Sequence, residues 1–154
     1  MTSKLALDTN ILLLLVVGLS DPRWIAQHKR LSAYTVDDFA LLVERIGESD
    51  ILSTPHAMTE TDNILKGGLR EPAGTILRET LAAMVQRFDE NYVRTRQLVT
   101  TDEYWWLGIG DTAWLETLPD DATLITDDLN LFAAALGRGI DAVNFNHLRD
   151  GVTV

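Results

Sequence analysis

Four short apolar runs, Leu5–Leu7, Ile51–Leu52, Leu124–Ile125 and Ala142-Val143-Phe145, are separated by stretches whose apolar residues recur at helical spacing. Runs this short suit strands. Strands that alternate with helices pair in parallel, because each connection must cross back over the sheet. The expected fold is therefore α/β: a three-layer sandwich with a central parallel β-sheet flanked by helices. No linker, repeat or low-complexity tract divides the chain, so residues 1–154 read as a single domain. A chain of this length buries about 70% of its unfolded surface. With 46% apolar residues and no cysteine, it builds one core without disulfides, and thiolate chemistry is excluded.

Local punctuation predicts where the helices begin and end. Thr54-Pro55 sets a capping hydroxyl before a proline at the first helical position, and Gly67-Gly68 closes that helix. Glu71-Pro72 opens a segment, Ala73–Phe88, with Ile76, Leu77, Leu81, Met84 and Val85 at helical spacing. Further helices are expected over Asp37–Ile46 and, after Asp128, over Leu129–Leu136 before Gly137 and Gly139. Glu90–Thr101 fits either a helix or a connection. The longest apolar run, Ile11 to Leu19, is about half the roughly 20 residues a membrane-spanning helix requires. It also lacks the basic start and cleavage site of a secretory signal. A buried helix in a cytoplasmic protein without a membrane partner is the expectation.

The chain carries 13 basic and 23 acidic residues, a formal net charge of −10. That excludes a generic basic nucleic-acid coat. What matters is where the acids fall. Asp8 follows the first strand and precedes the Ile11–Leu19 helix, and in open α/β sheets ligands collect at strand carboxyl ends. A helix N-cap explains Asp8 equally well. Glu60 follows Ala57 by three and precedes Ile64 by four, which assigns it, with Asn63 beside it, to the inward face of its helix. Asp111 falls in a stripe with Leu107, Trp114, Leu115 and Leu118, although Gly108 and Gly110 also allow it to cap. Thr126-Asp127-Asp128 follows a strand directly, offering one acid more than capping needs.

If these acids meet, they cannot all ionise comfortably without a cation. Oxygen donors without cysteine, and with His28, His56 and His147 scattered along the chain, favour Mg²⁺ or Mn²⁺ over zinc. Such a centre suits phosphodiester hydrolysis. No P-loop, dinucleotide-binding GxGxxG or GxSxG elbow is present.

The blocks Leu7-Asp8-Thr9-Asn10, Thr54 to Glu60 with Asn63-Ile64-Leu65, Gly110-Asp111-Thr112-Ala113, Leu124 to Asp128 and Asn144-Phe145 follow one another over nearly the whole chain. In this order they resemble the PIN-domain nucleases. By that resemblance Asp8, Glu60 and Asp111 are the principal metal-binding acids. The usual pattern of Thr, any residue, Asp points to Asp128 as the fourth, with Asp127 in the variable position and able to join. Asn10 and Thr126 are expected to orient a carboxylate or a water. The resemblance implies a Mg²⁺- or Mn²⁺-dependent endoribonuclease cleaving single-stranded RNA. It also implies possible partners, since many small members are toxins silenced by a cognate antitoxin, often as homodimers.

Arg23, Lys29 and Arg30, interleaved with Trp24, His28 and Tyr34 and free of acids, suit a single RNA strand, as does the basic excess between Lys66 and Arg96. Ordinary solvated helix faces account for these residues too. Tyr104, Trp105 and Trp106 read as core or a protein interface. They motivate the alternative of a catalytically weak or inactive RNA-binding or protein-interaction module. A phosphoacceptor receiver domain fits less well, because it expects an acidic pair near the first strand's end, where this chain has Asp8-Thr9-Asn10.

Overall fold

A computed structural model describes residues 2–151. Strands β1 (Lys4–Leu7), β2 (Asp50–Ser53), β3 (Asp89–Glu90), β4 (Ala122–Thr126) and β5 (Asp141–Asn144) form one sheet in the order β3-β2-β1-β4-β5. Every neighbouring pair is parallel. The helices are α1 (Thr9–Ser20), α2 (Val36–Ile46), α3 (Pro55–Gly68), α4 (Ala73–Val85), α5 (Thr95–Leu98), α6 (Tyr104–Leu107), α7 (Ile109–Thr117), α8 (Leu129–Gly137) and α9 (Phe145–Arg149). The fold is α/β with an all-parallel central sheet flanked by helices, consistent with a three-layer sandwich.

Strand alternation divides the core between the two faces of the sheet. Leu5, Leu7 and Ile125 join a cluster with Leu31, Leu42, Leu65 and Leu77 from one layer. Ala6 and Leu124 point the other way, into Trp114, Leu115, Leu131 and Ala135. The apolar run Ile11 to Gly18 is buried all round in α1, as a helix covered on every side must be. It packs among α2, α3 and α4. Among the described residues, no helix is long and apolar enough to cross a membrane.

Caps set the helix starts. Thr54 accepts the Ala57 N–H at 3.1 Å, with Pro55 at the first helical position. Thr35 and Asp38 form a reciprocal capping box at α2. At Gly68 the close of α3 approaches His28 so tightly that a Cβ would lie 1.8 Å from Nε2 of the buried ring.

Three expectations need correction. Phe145 is no strand residue; Asn144 accepts the Asn146 N–H at 3.0 Å and starts α9, and Phe145 is buried as its first residue. The fourth helix stops at Val85 rather than Phe88. Leu107 is separated from Asp111 by Gly108, whose φ of 86° breaks α6 from α7. The ambiguous Glu90–Thr101 stretch holds the end of β3 and the short α5. β3 is an edge strand of two exposed acids, paired only with β2, and so carries no apolar signal.

Candidate functional site

The strand order reverses at β1, with β2 on one side and β4 on the other. Chains leaving the carboxyl ends of β1 and β4 diverge there and open a crevice, the general location of ligands in such sheets. Asp8 follows β1, and Asp127 and Asp128 follow β4. The Asp8 backbone N–H, bonded to the Ile125 carbonyl at 3.0 Å, extends the sheet and fixes the residue's position.

Asp8 occupies the N-cap position of α1, but its carboxylate does more than cap. Oδ1 accepts the N–H of the adjacent Thr9 at 2.8 Å, and Oδ2 accepts the hydroxyl of Thr126 at 2.8 Å. The side chain is only 8% exposed. Burial pushes its carboxyl up to about 6, against the lowering effect of these two bonds, and Asp127 and Asp128 raise it further.

Thr126 is buried and couples the two strand ends. Its Oγ1 donates to Asp8 and accepts the Asp128 N–H at 3.0 Å. Asp128 is the acid that caps the following helix: Oδ1 accepts the N–H groups of Asn130 at 2.8 Å and Leu131 at 3.1 Å. Among the described residues, no protein donor reaches its Oδ2. Asp127 is held by neutral donors instead. Its oxygens accept from the Asn10 amide, at 3.2 Å to Oδ2, and Oδ2 also accepts the Tyr34 hydroxyl. Its Oδ2 is therefore engaged twice, whereas the Asp128 Oδ2 faces the cleft without a protein donor among the described residues.

Glu60 departs from the sequence expectation. The buried side of α3 runs through Ala57, Thr61 and Leu65, so Glu60 lies aside from it and is exposed at the rim. It nevertheless leans on the site, with Oε2 accepting the Thr9 hydroxyl at 3.3 Å. Asp111 is half-buried in the first turn of α7 and makes no capping bond; Gly108 holds the cap position. Burial pushes the Asp111 carboxyl up to about 7, and Asp8, Asp128 and Glu60 add to the rise. Gly110 lies beside Glu60; a Cβ there would stand 3.7 Å from Glu60 Oε2, an ordinary van der Waals contact.

These side chains line one cleft of about 150 Å³, bounded by Asp8, Thr9, Asn10, Arg30, Glu60, Asp111, Asp127 and Asp128. Five carboxylates thus face one another across a space where Arg30 is the single cationic lining residue among those described. The donor chemistry fits a hard divalent cation: all oxygen, with two carboxyls whose ionisation is suppressed by burial and neighbouring acids. Among the described residues, no group of three or more acidic or histidine side chains is already arranged to hold a metal ion. The cleft side chains would have to turn toward one another to complete a coordination sphere.

Of the proposed RNA contacts, Arg30 reaches the site, with Nη2 3.5 Å from Asn10 Oδ1. Lys29 is exposed beside it. Arg23 is exposed but turned to Asp21, Nη2 lying 2.7 Å from Oδ2. The aromatics between them form no stacking surface: His28 and Tyr34 are buried, and Trp24 packs on the core. Tyr34 instead supports the acids, a role that sequence reasoning missed. Its ring carries the Arg149 guanidinium 4.6 Å from its centroid, and Arg149 also pairs with Asp38 at 3.0 Å. Trp105 and Trp106 are no part of the core, being 80% and 53% exposed.

Compared with protein-family models and with curated proteins, the chain matches none.

Proposed function

We propose that the protein is a metal-dependent endoribonuclease of the PIN-domain kind, hydrolysing phosphodiester bonds of single-stranded RNA. One observation carries this reading: acids from positions 8, 60, 111 and 128, far apart in the chain, line a single cleft at the reversal point of a parallel sheet. Their order along the chain supports the same family.

Asp8, Glu60, Asp111 and Asp128 would hold Mg²⁺ or Mn²⁺. When bound, the cation supplies electrophilic stabilisation of the charge that develops on the phosphoryl oxygens. The chain's own residues set the stage for it. Thr126 and the Thr9 N–H fix the Asp8 carboxylate, so that this ligand needs no reorganisation. The Thr9 hydroxyl draws Glu60 over the rim. Asn10 and Tyr34 hold Asp127 to one side, where it adds negative field without competing for position. Arg30 stands where it can meet a phosphate oxygen of the strand and offset repulsion from the acids. On the family resemblance, the partners would be an RNA strand, a cognate antitoxin and a second copy of the chain, and the compartment the cytoplasm.

The test is cleavage of total RNA and tRNA by purified protein with Mn²⁺ or Mg²⁺, with EDTA, and with Glu60→Gln. The reading expects cleavage that EDTA and Glu60→Gln abolish. Intact RNA on several substrates with folded, metal-supplied protein would refute it. One observation favours a second reading, an RNA-binding or protein-interaction module without turnover: the exposed Trp105 and Trp106 on α6. RNA binding without cleavage would select it.

A further inference from the structure

We infer that the cleft beside the acids, lined by Pro55, His56, Asn63 and Tyr92, is a binding site for one nucleobase of the RNA strand, next to the phosphate held at the acids. The inference rests on the ribonuclease reading and adds a substrate-recognition element to it.

The cleft has a volume of about 450 Å³ and a mostly apolar lining, within the usual range for ligand sites. It adjoins the acidic cleft, because Glu60 belongs to both walls, and Gly110 lines this cleft while the adjacent Asp111 lines the other. The topology brings its two sides together. Pro55 and His56 form the first turn of α3, directly after β2. Tyr92 follows β3, which pairs with β2, and the Asn91 N–H to Ser53 carbonyl bond of 2.9 Å carries that pairing to the mouth of the cleft.

The lining selects the occupant. Tyr92 is 69% exposed, an uncovered ring of the kind on which bases stack. Neither lysine nor arginine lines the cleft among the described residues, and Glu60 stands on its wall. A phosphate is therefore repelled from it, while a neutral planar ring is not. The Asn63 amide offers both a donor and an acceptor to a base edge. His56 lines the cleft, and its Nδ1 is buried with no hydrogen-bond partner. A strand with its scissile phosphate at the acids would thus place its flanking base here, and the base supplies neutral, aromatic surface that the acidic cleft cannot use.

The test separates this site from the activity. Short single-stranded oligoribonucleotides, intact or abasic at one position in turn, are titrated into the protein in EDTA, and the His56 ring signals are followed by NMR. Intact RNA should shift His56 and leave His147 unmoved, and one abasic position should weaken binding more than the rest. Tyr92→Ala should weaken binding roughly 5- to 150-fold, the range for loss of one base–aromatic stack, and Tyr92→Trp should retain it. Tyr92 is exposed, so the variants keep the fold. Failure of RNA to shift His56, equal binding by Tyr92→Ala, or equal effects at every abasic position would overturn the inference. Cleavage by wild type with unchanged KM and cut positions in Tyr92→Ala would overturn it while leaving the ribonuclease reading intact. Tyr92-dependent binding without any metal-dependent cleavage would uphold the base site and refute that reading.

Discussion

Replacing Asp8 by asparagine should stabilise the metal-free protein in mild alkali and change its stability little in mild acid. The Asp8 carboxyl is pushed from an ordinary 3.8 up to about 6, chiefly by burial. A carboxyl raised in the folded state holds its proton more tightly there than in the unfolded chain. Stability present below 3.8 is therefore lost as pH climbs through about 6. At 1.36 kcal/mol per pH unit, the full loss is about 3 kcal/mol above neutrality. Asparagine removes that loss, but it keeps one acceptor oxygen, and its NH₂, a donor, cannot accept the other of the Thr9 N–H and the Thr126 hydroxyl. One disrupted bond costs about 1 kcal/mol. The variant should thus be about 2 kcal/mol more stable than wild type near pH 8 and about as stable near pH 4.5, where wild type has already lost about 1 kcal/mol. Urea unfolding in EDTA at the two pH values measures both differences. A variant that is destabilised equally at both would show that the Asp8 charge is not strained by its surroundings, and the reasoning would fail.

Two further perturbations probe the scaffold around the cleft. Gly68→Ala drives a methyl to within 1.8 Å of Nε2 of the buried His28 ring, so a loss of about 1–3 kcal/mol is expected from the urea midpoint. In a His28→Ala background the same change should cost far less, and additive losses would refute the contact. Tyr34→Phe removes the hydroxyl that serves Asp127 while preserving the ring under Arg149, and should lower stability by about 2 kcal/mol. An unchanged midpoint would mean that Asn10 alone satisfies Asp127.

How much of this was written locally along the chain depends on the residue. Asp8, Asp127 and Asp128 were legible because each directly follows an apolar strand, and strand ends are where a parallel sheet opens. Thr54, Asp128 and Gly68 likewise announce helix ends through short-range chemistry. Glu60 lines the cleft but not from the expected inward face, since spacing from Ala57 and Ile64 cannot decide between a buried stripe through Thr61 and one through Glu60. β3 was not legible, because two exposed acids at a sheet edge carry no apolar signal. Tyr34 was read as a surface aromatic; its partner Asp127 lies 93 positions away, and only the tertiary fold brings them together. The cleft at Tyr92 was also invisible, for it depends on β3 bringing a connection beside α3.

Mn²⁺ titration by calorimetry near neutral pH, on wild type and Asp111→Asn, addresses the cation-holding role of the acidic cleft without reference to any substrate. Saturable binding by the wild-type protein, weakened at least about tenfold in the variant, is the predicted outcome for loss of a ligand carboxylate. Absence of binding by the wild type, or equal affinity in the two proteins, would contradict it.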